Sequence, residues 1–393
     1  MTTMTKPARR YDLDWLRVLS IVTVFFFHSL RFFDQSGWHV KNGSTYQSVD
    51  VLVGFLVNWM MPLVFVISGA STFYALGSRG SGKFIKDRSL RLLVPLIVGI
   101  FTHVLVQVYL ERVSHHQFSG TLWEFIPQYF NGFYPIGNFA WMGLHLWYLL
   151  ILFVFSILLL PLFRWFKRAA TGQRVLQGVD AFLAKPLAIY VLAVPIALLI
   201  ATLDPRTDLG QRNWGGWSLL IYLFFFAYGF MLFAHDGVQE AVKRQRWLSL
   251  IAGVGLVVAQ IALRVGKSDP MFGTSSFTLL NGIYGLSSWF WIVAVLGFGM
   301  KHLNRYSSKM EYLNEAVLPF YVLHQSVLLY VGYFVVQWNI PDVLKWLVIG
   351  STSLVIIMTL YEFLIRRITV LRFLFGLKPL KQETQRRSVT QPA

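Results

Sequence analysis

The 393-residue chain has no cysteine. That excludes disulfides, thiolate metal sites and a cysteine nucleophile. Charge is also scarce: Asp, Glu, Lys and Arg make up 13% of the residues, about half the ~25% of an ordinary soluble chain. Acidic residues are the scarcer sign, 18 against 35 Lys and Arg, for a net charge of +17. No internal repeat and no Gly/Ser- or Pro-rich linker is visible, so nothing divides the chain into separate domains. Abundant apolar mass takes the place of charge. The chain holds 34 Phe, 17 Tyr and 14 Trp, with mean hydropathy +0.55. Disorder and a soluble globular fold are both excluded.

Counted in spans of about 20 apolar residues plus connections, the length predicts an all-α, polytopic membrane protein of about ten helices in one bundle. The expected spans are 13–33, 50–77, 89–110, 144–163, 186–203, 217–234, 247–264, 277–300, 316–337 and 342–365. The first follows a basic stretch (Lys6, Arg9, Arg10) and looks like a signal peptide, but it lacks a small-residue cleavage site and is read as a helix. Residues 1–376 form one transmembrane domain in this reading, and 377–393 a polar, disordered tail. Alternate connections carry 26 Lys and Arg on one side and 7 on the other. This positive-inside asymmetry predicts both termini in the cytoplasm of a bacterial inner membrane. It also accounts for the basic balance without nucleic acid as a partner.

Polar residues inside the spans carry the functional signal, because each charge there costs ~2.5–3.5 kcal/mol on insertion scales. In the first span Asp14, Arg17 and His28 fall on one narrow helical face. Asp14 and Arg17 can pair at i,i+3, and His28 stands ~16 Å further along the axis. Interfacial pairing alone would also explain Asp14 and Arg17. In the second span Pro62 is expected to bend the helix and Ser68-Gly69 to permit close packing. Arg88 and Arg91, preceded by Lys83 and Lys86, read either as positive-inside anchors or as an anion cradle at a helix N-terminus. His145 opens the fourth span. His324 lies inside the ninth beside Tyr321 and Gln325. The segment 111–143 is too aromatic for a solvated loop and reads equally as a roof over the outer mouth or as an interfacial belt. Trp38, Trp214 and Trp217 fit a belt. His115-His116 reads as a solvated pair, and no metal-ligand spacing is present.

These residues resemble a known pattern. Asp14-x-x-Arg17 followed by ten residues and His28, MPLVFVISG in the second span, Arg88-x-x-Arg91 with Pro95, HLWYL, and Tyr321-x-x-His324 are similar to the motifs of the acyltransferase-3 family of membrane O-acyltransferases, in family order. WHVKN (38–42) and LPFYVLHQ (318–325) resemble the branch that succinylates periplasmic glucans. The resemblance implies about ten helices, acyl-CoA as donor from the cytoplasm and a hydroxyl acceptor, a periplasmic or cell-surface glycan. It implies His28 as the essential histidine, Arg17 as its motif partner, and Arg88 and Arg91 as a cationic pair. Many relatives carry His where this chain has Met60, so no role carries over there.

The chemistry agrees. Acyl-CoA needs a basic mouth, which Lys83, Lys86, Arg88, Arg91 and Arg17 could supply, then a narrow channel and a base at its end. His28 would be that general base. Tyr321, His324 and His145 are candidates to orient it or to stabilise an oxyanion. Direct attack and an acyl-histidine intermediate both remain open. Arg31 is a candidate cation for a succinyl carboxylate, with interfacial snorkelling as its alternative. A proton-coupled transporter would use the same buried residues but usually shows paired halves, which are absent here. A binding or scaffolding protein that had lost the chemistry would not need all of these residues.

Overall fold

A computed structural model describes residues 9–77, 79–264 and 269–379. Lys6 and most of the expected tail, 380–393, lie outside the described residues. Every apolar stretch named above is helical, and no β-sheet occurs among the described residues. The helices are α1 (Tyr11–Leu30), α2 (Gln47–Gly77), α3 (Ser81–Arg88), α4 (Val94–Phe101), α5 (His103–Ser114), α6 (Leu122–Tyr129), α7 (Trp147–Leu158), α8 (Leu160–Arg168), α9 (Ala170–Leu183), α10 (Ala193–Thr202), α11 (Leu219–Leu232), α12 (Asp236–Arg264), α13 (Ser275–His302), α14 (Ser308–Val335), α15 (Asp342–Leu360) and α16 (Thr369–Leu374). A π-helical turn, Ser89–Leu93, joins α3 to α4.

Length and composition qualify six helices as membrane spans among the described residues, and nine if each of three bent pairs is one span. The expected tenth, 217–234, is the 14-residue α11, which falls short of the hydrocarbon thickness. The bends have local causes. The 41° bend between α4 and α5 falls at Thr102, whose hydroxyl donates to Val98 O at 2.6 Å and weakens the helix ladder. The 49° bend between α7 and α8 falls at Pro161, which cannot donate to the preceding turn. The chain turns by 116° between α9 and α10 across Lys185-Pro186. Pro62 does not break α2, which runs unbroken for 31 residues.

α1 packs against α2, α13, α14 and α15, so its polar face looks into the bundle. α2 lies along α11 with backbones nearly touching. A Cβ on Gly69 would meet the backbone of Phe226 and Phe230, and one on Gly229 the backbone of Val66. Only glycine at both positions permits this approach, as Ser68-Gly69 led us to expect.

The two sets of connections gather at different ends of the bundle. At the basic end Arg10 bonds Tyr74 and Gln239, Arg9 pairs with Glu311, and Arg372 pairs with Glu315. The first tail residues are held there too, since Arg372 Nε donates to Lys378 O at 2.9 Å. At the opposite end Lys345 reaches Asn42, Tyr46 reaches Asp342, and His115 Nε2 bonds Trp38 O. His115 is exposed, as a solvated residue should be, and it also tethers the Trp38 loop.

The segment 111–143 packs partly onto the bundle and is partly exposed. α6 starts with a capping box, Thr121 with Glu124, and buries Phe125 and Tyr129 while Trp123 stays 78% exposed. Arg112 clamps the following loop through Asn138, Gln117 and the carbonyls of Pro135 and Gly137. The belt reading of the tryptophans is corrected at Trp217, which is wholly buried and donates to Val57 O at 3.0 Å. Trp38 likewise lies over His28, at 6.2 Å between ring centres.

Arg31 neither snorkels nor stands free. It pairs with Asp34, which also holds Lys41 at 2.5 Å and has no solvent exposure. Removing that carboxylate strands two cations. Asp34→Ala is expected to cost ~3 kcal/mol, the low end for a broken buried pair because Lys41 keeps some water contact. Thermal unfolding of the purified protein in detergent would show it as a lowered midpoint.

Candidate functional site

A cavity of about 470 Å³ opens at the basic end and runs inward between α1, α2, α3, α7 and α14. Arg17, Arg79, Arg88 and Arg91 line it, with Asp87 as the one carboxylate of the lining. Arg17 is held in a fixed pose: Nη1 donates to Asp14 Oδ1 at 3.0 Å and Asn314 Oδ1 at 2.9 Å, and Nη2 to Ser71 Oγ at 2.8 Å. The expected Asp14–Arg17 pair is therefore present, and Arg9 also binds Asp14 at 3.0 Å. Arg88 Nη2 donates to Thr72 Oγ1 at 2.7 Å, with its guanidinium over the Phe84 ring. Arg79 pairs with Asp87 at 2.9 Å.

Arg91 sits within the π-helical turn and makes no side-chain hydrogen bond among the described residues. A π turn spends more residues per turn than an α-helix and so re-aims the side chains that follow it. Arg88, at the end of α3, and Arg91, within the π turn, both line the cavity. Lys83 and Lys86, one and two turns earlier on α3, are exposed and outside the lining.

The lining also holds hydroxyls and rings: Ser68, Ser71, Tyr148 and Tyr321. The hydroxyls of Ser68 and Tyr148 are 2.5 Å apart. Tyr321 forms the wall between the cavity and a histidine cluster. Its ring lies 5.5 Å from that of His324 and 5.9 Å from that of His145, and its hydroxyl donates to His145 O. His28 is not part of the cavity lining; it lies on the far side of His324.

His28 and His324 touch. His324 Nε2 is 3.1 Å from His28 Nδ1, and their ring centres are 4.9 Å apart. The surrounding carbonyls decide the tautomers. His28 Nδ1 is 2.9 Å from Val24 O, and His324 Nδ1 is 2.5 Å from Tyr321 O. A carbonyl only accepts, so both Nδ1 atoms carry the hydrogen. His324 Nε2 is then a lone pair that shares the His28 Nδ1–H with Val24 O. His28 Nε2 is a lone pair too, and it has no partner among the described residues. A base with one nitrogen anchored and the other unoccupied is what proton abstraction requires.

The other candidates are committed elsewhere. His145 Nε2 donates to Val322 O at 3.1 Å, and its Nδ1 faces Gln107 Nε2 at 3.3 Å. Gln107 also donates to Ser326 Oγ at 2.6 Å and accepts from Gln325 Nε2 at 3.2 Å. With their polar hydrogens on carbonyls, Tyr321, His145 and His324 are placed to orient, and only His324 reaches His28. Sequence reasoning did not single out Tyr148, although it lies within HLWYL, nor Gln107, Arg79 and Asn314. His39 was also passed over: it binds Glu111, which Tyr134 and Arg112 further anchor, just beyond Trp38. No cluster of potential metal ligands occurs among the described residues.

Known proteins match this chain along nearly its whole length. The acyltransferase-3 profile, described as an acyltransferase domain, covers residues 10–362. Similar relatives include the glucans biosynthesis protein C of Salmonella heidelberg (strain SL476), Salmonella schwarzengrund (strain CVM19633) and Salmonella enteritidis PT4 (strain P125109). Each is 24% identical over 394 residues, covering 98% of this chain and 99% of the relative. No solved structure matches. The multi-pass helical bundle, the arginine cavity and the histidine pair thus stand in a chain that belongs to the acyltransferase-3 family of membrane acyltransferases.

Proposed function

We propose that this protein moves an acyl group, acetyl or succinyl, from cytoplasmic acyl-CoA to a hydroxyl of an extracytoplasmic glycan. Its relatives' name supports a glucan as the class of acceptor. The carrying observation is the sequence of groups along the bundle: four arginines at the basic end, then hydroxyls and Tyr321, then His324 and His28. A donor whose charges lie at one end and whose thioester lies at the other fits that order. The 26-to-7 distribution of Lys and Arg supports a cytoplasmic basic end in the inner membrane.

In this reading the anionic end of acyl-CoA rests on Arg17, Arg88 and Arg91, and the neutral arm follows the cavity to Tyr321. The acceptor approaches from the opposite end, past Trp38. His28 Nε2 takes the acceptor proton as the oxygen attacks the thioester carbonyl. The imidazolium so formed is stabilised through Nδ1–H by Val24 O and the His324 Nε2 lone pair. The carbon–sulfur bond then breaks, and CoA leaves as thiol with that proton. Ser68 and Tyr148, hydrogen-bonded to each other in the cavity, are neutral hydroxyls that would serve the developing oxyanion.

The test is reconstitution. Proteoliposomes given labelled acetyl-CoA or succinyl-CoA on the basic-end side and a glucan on the other should release CoA and label the glucan together. Mass spectrometry of envelope glycans from cells with and without the protein should show one mass increment lost. Unchanged glycans, together with no acceptor-dependent CoA release, would end the reading. Within it, Arg88→Gln is expected to raise KM for the donor by about tenfold or more, as loss of a charge-assisted contact does. The effect on kcat should be smaller, and steady-state kinetics separate the two.

A further inference from the structure

A second hollow adjoins the first at the basic end. It measures about 430 Å³ and lies between the α2–α3 junction and α8. Arg79, Arg164, Lys167 and Arg168 line it, and no acidic side chain does. Arg79 lines both hollows, so the two meet there. The cations are packed, not splayed. Arg164 Nη2 donates to Arg79 O at 2.7 Å, while its Nε is buried without a partner among the described residues. Lys167 Nζ sits 3.5 Å over the Phe73 ring and against Gly77, where an added Cβ would come within 3.3 Å of it.

The same hollow receives the start of α3. Its N-cap is Gly80, which lines the hollow and has no side chain to cap the first amides. The sequence reading looked for an anion cradle at this helix N-terminus. The structure puts the N-terminus in this second hollow, eight residues ahead of Arg88. Three cations without an acidic partner among the described residues (Arg164, Lys167 and Arg168), with Arg79 beside them on Asp87, and an uncapped helix N-terminus converge on one glycine-lined space and form a site for a multiply charged anion.

We propose that this hollow binds the 3′-phosphate of the donor's nucleotide end, while the diphosphate rests on the arginines of the first cavity and the neutral arm runs inward from them. This rests on the proposed function and divides the donor between two subsites joined at Arg79. Apart from its arginines the first cavity carries Ser68, Tyr148 and Tyr321, groups suited to an amide-bearing arm. An anionic lipid headgroup presents the same phosphate chemistry at a membrane surface, and the experiment separates the two sources.

The full-length protein is placed in nanodiscs of phosphatidylcholine. Its affinity for CoA and for adenosine 3′,5′-bisphosphate, which has phosphates but no arm, is measured by calorimetry. Arg164→Gln with Arg168→Gln is expected to weaken both about 10- to 100-fold, with the thermal midpoint held near that of the wild type. If the double variant does not fold, Arg168→Gln alone, at an exposed side chain, is expected to weaken both severalfold. A variant that folds and binds CoA within twofold of the wild type overturns the proposal. So does a variant that only loses stabilisation by added phosphatidylglycerol, which would mark a headgroup site. A wild-type protein that binds no CoA would instead overturn the acyltransferase reading beneath it.

Discussion

His28→Ala is expected to lower acyl transfer by ~10²–10⁴-fold, the contribution of a positioned general base, while the protein still reaches the membrane and folds. His28 is only half-buried, and its loss removes the bonds to Val24 O and His324 without opening the tightly packed core. The measurement is labelled acyl transfer by purified protein, beside the thermal midpoint of the same preparation. Wild-type transfer by the alanine variant would remove His28 from the chemistry altogether. His324→Ala is the informative companion. It leaves the His28 Nε2 lone pair in place but removes the acceptor behind Nδ1, so it should slow transfer less than His28→Ala and leave KM for the donor nearly unchanged. Equal losses in the two variants and in the double variant would mean that the pair acts as one unit.

Gly69→Ala is expected to destabilise the fold strongly. The added carbon would strike the α11 backbone at Phe226 and Phe230, and a backbone pinned by Gly229 against Val66 has nowhere to go. Overpacking of this kind costs ~1–3 kcal/mol where side chains can shift; here the obstacle is main chain, so the upper end or beyond applies. Gly54, on the same helix α2, is the control, because a Cβ there meets nothing within 4 Å. Gly54→Ala should be neutral or slightly stabilising through helix propensity. Size-exclusion profiles and thermal midpoints of the two variants in detergent compare them directly. A Gly69→Ala protein as stable as Gly54→Ala would refute the close crossing.

Much of the site was legible because helical period is a rigid ruler. Asp14, Arg17 and His28 share a face whatever the bundle does around them, and the structure turns that face inward. Ser68-Gly69 announced a close crossing because a small pair inside an apolar run has few other uses. What stayed hidden depends on breaks in that ruler. Hydropathy windows do not register which face of α3 a cation occupies, so Lys83 and Lys86 read as equal to Arg88 and Arg91, although they are exposed and outside the cavity lining. Nor do windows distinguish a 14-residue helix with apolar flanks from a full span, which is why 217–234 looked like one. Partnerships between distant segments were also invisible. Arg31 was free on paper because its partner Asp34 belongs to the following loop. Gln107 and His39 carried no local signal, since their meaning comes from His145 and Glu111 across the bundle. The oxyanion role left open for Tyr321, His145 and His324 could be weighed only once their hydrogens were traced to carbonyls.

The turn at Ser89–Leu93 has a consequence for how this protein tolerates change. Removing one residue from the middle of a membrane helix ordinarily swings everything beyond it by about 100°. Here a surplus residue is already stored, so excising one would let the segment relax into regular α-helix without shortening the span by a full step. The packing of Val94–Phe101 and the facing of α3 would both survive, and only the aim of side chains within the turn, Arg91 among them, would change. A one-residue deletion would thus be absorbed by the scaffold and felt only by the charge pattern it displays.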